Sequence, residues 1–200
     1  MSELWRDAPS AEVLARRLLG AELHVRDDDG TVTSGRIVET EAYLAVGDPG
    51  CHAHRGPTRR NASMFMAAGT VYVYRIYGLH HCFNIVSGRE GRGEAVLVRA
   101  LEPRRGQLEM ARRRGLSRPG APGQSHERRS GRANRGLADG PGKLVEALGI
   151  RPGDDGSQID GGRFTLTPAA APIAAHRLRV TRRIGLGQAE DLALRFVVRD

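Results

Sequence analysis

Three β-rich runs in close succession, TVYVYRIYG (70–78), HHCFNIVSG (80–88) and EAVLVRALEP (94–103), constrain this chain more than any other feature. The breaks between them, at 78 and at 88–93, are short and carry glycine, so an antiparallel core is predicted. ELHVR (22–26) and TVTSGRIVETEAY (31–43) are two further strands, parted by DDDG, whose Asp-Gly step favours a hairpin turn. Ser10 is placed to cap a helix in which Ala11, Leu14, Ala15, Leu18 and Leu19 share one apolar face before Gly20 stops it. A short helix is predicted around 106–114, a turn and short helix in GPGKLVEALGI (140–150), and strands in FTLT, HRLRVTRRIG and ALRFVV after Arg163. Strands grouped with a few helices, without a βαβα rhythm, indicate an α+β fold, and 200 residues suit a single domain, 1–200.

No apolar run approaches the roughly 18 residues of a membrane span, so no membrane partner is expected. The opening MSELWRDAPS carries an acid and lacks the apolar stretch of an export signal, which reads as cytoplasmic. Cys51 and Cys82, the only cysteines, suit free thiols in a reducing compartment. Basic residues outnumber acidic ones by 31 to 23, and residues 104–135, with ten Arg against Glu109 and Glu127, carry the whole excess of +8. Such a segment attracts polyanions, nucleic acid foremost, or is a solvated loop without a partner. Within it, 115–135 reads as an Arg-rich mobile insertion.

Candidate chemistry concentrates between 36 and 99. In RIVETEAY, strand alternation puts Glu39, Glu41 and Tyr43 on one face and Val38, Thr40 and Ala42 on the other. Paired acids beside an aromatic do general-base work or bond neighbouring arginines and loop amides. All four tyrosines, Tyr43, Tyr72, Tyr74 and Tyr77, lie within 35 residues. Tyr72 and Tyr74 share a strand face and Tyr77 precedes Gly78 at a turn, so the readings are base stacking and wedging, or a Tyr-rich strand filling a core. The loop at 44–63, dense in Gly, Pro, His, Arg and Asn, is long enough to be functional. Cys51, His52, His54 and His80 invite a zinc-hydrolase reading, but no C-x-x-C pair or H-x-x-x-H helix is present, and no metal is expected. GPGKL departs from a phosphate loop at Leu137 and Leu144; it is a turn that caps a helix, or one whose amides and Lys143 hold a single phosphate.

RIVETEAY, His52, RRNASMFMAAGTVYVYRIYGLHHCFNI (59–85), EAVLVRALEP and LADGPGKLVEALGI, with LARRLLGAELHVR before them and RRIGLGQAEDLALRF after, resemble the alkyladenine (3-methyladenine) DNA glycosylase family. The likeness runs in order along most of the chain, except 115–135, where the family is shorter. It implies a single α+β domain with a curved, partly barrel-like antiparallel sheet and flanking helices. A protruding β-hairpin enters the minor groove of double-stranded DNA and replaces a damaged purine turned out of the duplex. By the same resemblance, Tyr77 is the wedge, Glu41 the general base that activates water, and Arg99 the arginine beside that water. Tyr43, His52 and Tyr74 wall the base, the His52 backbone amide donates to the base edge, and Asn84 excludes ordinary guanine. His80 departs from the bulkier residues found near the hairpin tip in relatives. The resemblance also implies a monomer that needs no cofactor. With Lys143 the only lysine, and distant in sequence from the acidic cluster, a monofunctional hydrolase leaving an abasic site is expected. The alternative is a catalytically silent DNA-binding module on the same fold.

Overall fold

The computed structural model describes residues 4–116, 136–159, 162–186, 189 and 191–199. Its frame is an eight-stranded antiparallel sheet curled into a half-barrel, with three α-helices among the described residues. The expected α+β class is what is observed. β1 (Glu22–Arg26) and β2 (Val32–Tyr43) make one hairpin, and β3 (Val71–Ile76), β4 (His80–Ser87) and β5 (Glu94–Arg105) a meander. β6 (Phe164–Thr167), β7 (Leu178–Thr181) and β8 (Arg195–Val198) complete the sheet, whose main path runs β3-β4-β5-β2-β1-β6.

β2 is the spine. One edge pairs with β5 along nearly its whole length, while the other pairs with β1 over Val32 to Arg36 and with β8 over Glu39 to Glu41. One strand therefore serves two divergent neighbours on a single edge. Register shifts between Ile37 and Thr40 supply the bend this requires, since an extra residue on one strand kinks it and increases its twist. Val38, in the shifted stretch, is only half-buried, while Ile37, Thr40 and Ala42 point into the core.

The helices pack against this sheet. α1 (Ala11–Leu18) buries Ala11, Leu14, Ala15 and Leu18, the face its apolar spacing predicts. Ser10 Oγ accepts from the Val13 N–H at 3.4 Å, and Glu94 Oε2, reaching across from β5, accepts from the Ala11 N–H at 3.0 Å. That long-range cap is buried, so Glu94→Ala is expected to lower stability by about 1–3 kcal/mol through an orphaned donor at the helix start. A urea unfolding midpoint equal to wild type would show that water replaces it. α2 (Gln107–Arg113) and α3 (Pro141–Leu148) pack on one another, α2 also on β2 and α3 on β4 and β5, close to their expected positions.

The meander has two buried faces. Val71, Val73, Phe83, Ile85, Val96 and Val98 join the main core with the helices, while Tyr72, Val86 and Ala95 face the other way onto Cys51, Ala53 and Met64. The loop following β2 thus roofs the second face with a small apolar cluster, and the candidate site residues line the gap beside it.

Two sequence expectations change or fall away. HRLRVTRRIG is not one strand: β7 ends at Thr181, and Arg182 to Leu186 leave the sheet. The cause is a buried ion pair that draws Arg183 inward and a left-handed φ of 77° at Gly185 that turns the chain. The Arg-rich stretch expected to be a mobile insertion lies outside the described residues apart from Gly115 and Leu116.

Candidate active site

A row of paired residues runs across four strands: Tyr72 on β3 faces Asn84 on β4, which faces Leu97 on β5, which faces Glu41 on β2. Alternation then adds Tyr74, Cys82, Arg99 and Tyr43 to the same face. All of these but Glu41, together with His52 from the loop, surround one pocket of about 350 Å³, at the small end of the range for ligand sites. Of the residues assigned from sequence, Tyr43, His52, Tyr74, Tyr77, Asn84 and Arg99 all line it. Arg60, Arg75 and the exposed Ile184 contribute to the same lining.

Glu41 lies immediately behind this lining, fully buried. Its Oε1 accepts from the Ile184 backbone N–H at 2.9 Å; its Oε2 accepts from the Tyr43 hydroxyl at 3.0 Å and stands 3.2 Å from Arg99 Nη1. All three donors belong to pocket-lining residues. A carboxylate offers about four lone-pair sites, so one remains for a further donor such as a water. Glu39 shares the face, and its Oε1 accepts from Arg99 Nε at 3.0 Å and Arg195 Nε at 2.6 Å. Both acids therefore bond arginines and one a loop amide, and that pairing fixes Glu41 in place directly behind the pocket wall.

The walls are held by their own contacts. His52 Nδ1 lies 2.9 Å from the Tyr72 hydroxyl, and its ring packs edge-on against Tyr74 with centroids 4.5 Å apart. Burial, then the charge of Arg60, holds His52 below the ordinary imidazole range, so the ring is neutral at neutral pH. Burial also pushes the Tyr43 and Tyr74 phenols far above their usual range, and for Tyr43 the Glu41 carboxylate adds to the effect. Tyr43 consequently stays a hydroxyl donor. Burial works against the charge of Arg99, but the Glu41 and Glu39 carboxylates outweigh it and raise its pKa further. Asn84 is buried and donates through Nδ2 to the Tyr72 carbonyl at 3.0 Å, which fixes the amide plane at the pocket wall.

At the open end, β3 and β4 meet in a tight turn where Tyr77 (φ 51°) and Gly78 (φ 70°) both adopt the left-handed region. Gly78 does so freely; a tyrosine does not. Tyr77 and Leu79 stand 79% and 78% exposed, an apolar hairpin tip at the pocket rim. The N-terminus of α3 lies against this hairpin: a Cβ at Gly142 would come 3.2 Å from His80 Cβ, and Pro141 lines the pocket. Lys143 is outside the pocket lining, exposed and paired with Asp139 Oδ1 at 2.8 Å. GPGKL is thus a turn leading into a helix with Gly140 at the cap position.

The residues of the zinc reading do not converge. Burial raises the Cys51 thiol to about 12, with its Sγ 3.8 Å from the Gly93 carbonyl, whereas His54 is exposed and His80 lies on the hairpin. Among the described residues, no group of three or more His, Cys, Asp or Glu side chains is disposed to hold a metal ion.

Several residues at the site carried no assignment from sequence. Asp48 accepts from the Leu44 and Gly50 N–H groups, both at 3.0 Å, and forms a fully buried bidentate pair with Arg183, at 2.7 and 2.5 Å. Arg183 also donates to the Ala42 carbonyl, and its guanidinium lies 4.6 Å from the Tyr43 ring centroid. Asn61 closes the loop, donating to the His52 and Gly56 carbonyls and accepting from Thr58. Asp48 and Asn61 sit in the aperiodic loop after β2, and Arg183 in a run that reads as strand, so neither pattern nor spacing marks their roles.

A sequence model of the methylpurine-DNA glycosylases matches residues 6–200. Among similar curated proteins, one from Methanoculleus marisnigri is 46% identical over 188 residues, 93% of this chain and 88% of that one. One from Encephalitozoon cuniculi is 45% identical over 193 residues (94% and 84%), and one from Carboxydothermus hydrogenoformans 40% identical over 188 (94% and 90%). All three have names that assign them provisionally to the 3-methyladenine DNA glycosylases. With the family model spanning nearly the whole chain, the protein belongs to the methylpurine-DNA glycosylase family and is thereby a DNA glycosylase, a hydrolase of N-glycosidic bonds.

Proposed function

We propose that the protein removes damaged purines from duplex DNA by taking the nucleotide out of the helix into the Tyr43–His52–Tyr74 pocket and hydrolysing its glycosidic bond, leaving an abasic site for base excision repair. The observation that carries this reading is Glu41: a buried carboxylate directly behind the pocket wall whose three donors all line the pocket, and one of whose roughly four lone-pair sites has no donor among the described residues. A water filling that position is deprotonated by Glu41 as its oxygen bonds to C1′, while the base departs with the bonding electron pair. The transition state is oxocarbenium-like, so the anion also stabilises the positive charge that develops on the sugar. A cationic alkylated base leaves as a neutral molecule; a neutral lesion such as hypoxanthine takes up a proton on departure. The neutral His52 ring and the Tyr43 and Tyr74 rings offer the flipped base flat apolar walls, and the His52 amide serves its edge.

Extrusion is itself selective, since a few kcal/mol are lost in unstacking and damaged or mispaired bases resist least. Tyr77 fills the vacated space in the stack, and Arg60, Arg75 and Lys143 face the phosphates. The test is a duplex series carrying hypoxanthine, ethenoadenine, an alkylated purine or uracil, heated in alkali after incubation. Strand scission at purine lesions and none at uracil is expected. Lesion-specific binding without scission would instead favour a silent DNA-binding module. Sodium borohydride is expected to trap no covalent adduct, because Lys143 is paired with Asp139 outside the pocket. An adduct would assign the enzyme a lyase step.

A further inference from the structure

The Asp48–Arg183 pair is costly to bury and is not needed to close the main core. Both side chains are fully buried, and Arg183 Nε has no hydrogen-bond partner among the described residues. Taking two charges out of water is offset only by good geometry, and an unpaired buried N–H adds a further penalty, so well-packed apolar residues would be at least as stabilising. What the pair does accomplish is positional. Ile184, the next residue after Arg183, donates its N–H to Glu41 Oε1 at 2.9 Å. The Arg183 guanidinium lies over the Tyr43 ring, whose hydroxyl donates to Glu41 Oε2. Arg183 also holds the Ala42 carbonyl, between Glu41 and Tyr43 on β2. Asp48 lies in the loop that carries His52 and organises its start through the Leu44 and Gly50 amides.

We infer that Asp48 and Arg183 form a latch that positions the general base: it locks the segment after β7 onto the loop after β2, so that two of the three donors to Glu41 are fixed from one buried ion pair. Neither residue lines the pocket, so both are positioning residues. The inference rests on Glu41 being the base, as proposed above. Its signature is a loss of the chemical step larger than the loss of lesion binding: the Tyr43 and His52 walls share the latch's surroundings, but the Tyr74 and Asn84 walls and the Tyr77 tip are anchored by β3 and β4.

The test removes both charges together, in the Asp48→Asn/Arg183→Met double variant, so that no unpaired ion is left buried. Single-turnover excision of hypoxanthine from a duplex, with enzyme in excess, is measured beside the dissociation constant for the same duplex and beside wild type and Glu41→Gln. The latch predicts an excision rate between about tenfold and a hundredfold below wild type, with binding weakened by a clearly smaller factor. A wild-type rate would overturn it. So would a loss confined to binding, which would make the pair a structural support of the pocket. Should the double variant fail to fold, Arg183→Lys, which keeps the charge but loses the fork, is read by the same split, and a wild-type rate there overturns the inference equally. If Glu41→Gln excises normally while wild type is active, the choice of base fails first, independently of the latch.

Discussion

Glu41→Gln is expected to reduce the single-turnover excision rate by about a thousandfold or more, leaving lesion-duplex binding within a few-fold of wild type. General-base catalysis contributes roughly 10²–10⁴, and loss of a buried anion facing a developing oxocarbenium adds an electrostatic share. Glutamine is nearly isosteric, but it presents one acceptor oxygen and an N–H₂ where the carboxylate presents two acceptors. The Ile184 N–H and the Tyr43 hydroxyl both need acceptors, so one of them faces a donor in the variant. Arg99 keeps its second partner, Glu39, so the fold does not lose the arginine. A rate within tenfold of wild type would remove Glu41 from the chemistry and shift attention to Glu39.

Tyr77→Gly is expected to separate stability from function. A tyrosine in the left-handed region carries of order 1–3 kcal/mol of backbone strain, and at 79% exposure it returns little packing to the fold. Glycine relieves the strain, offset in part by its greater freedom when unfolded, so stability is expected to stay level or rise by up to about 1 kcal/mol. On DNA the effect runs the other way. Base stacking on an aromatic side chain is worth about 1–3 kcal/mol, so without the wedge the extruded state loses roughly tenfold to a hundredfold in population and excision from paired duplex falls with it. The same lesion placed opposite a mismatch or in a single strand, where extrusion takes less energy, is expected to be affected less. A variant that melts earlier yet excises normally would mark Tyr77 as a structural turn residue.

How much of this was legible in the sequence depended on periodicity. The faces of β3 followed from alternation, which set Tyr72 and Tyr74 apart from Val71 and Val73. Alternation likewise placed Glu39, Glu41 and Tyr43 together, although it could not show the register shift that leaves Val38 half-buried, because bulges have no two-residue signature. The strong local pattern of α1 appeared, but its cap from Glu94, 83 residues away, did not. The roles given to Tyr43, His52, Asn84 and Tyr77 came from family likeness; strand pattern alone left stacking and core-filling open. Asp48, Arg183, Asn61 and the Ile184 amide escaped both routes. Each acts through a loop, and the contacts of Arg183 with Asp48 and of Ile184 with Glu41 join residues 135 and 143 positions apart. Local sequence carries no trace of such closures. RRIG, predicted as strand because its neighbours alternate, is instead the segment that delivers an amide to Glu41.

The most direct test of the account is product identification. Wild-type protein in excess over a duplex with a single hypoxanthine is expected to release free hypoxanthine, measured by chromatography and mass, in equal amount to intact abasic strand. Lesion DNA fully bound with no free base released would contradict the account and leave the pocket a recognition site without chemistry.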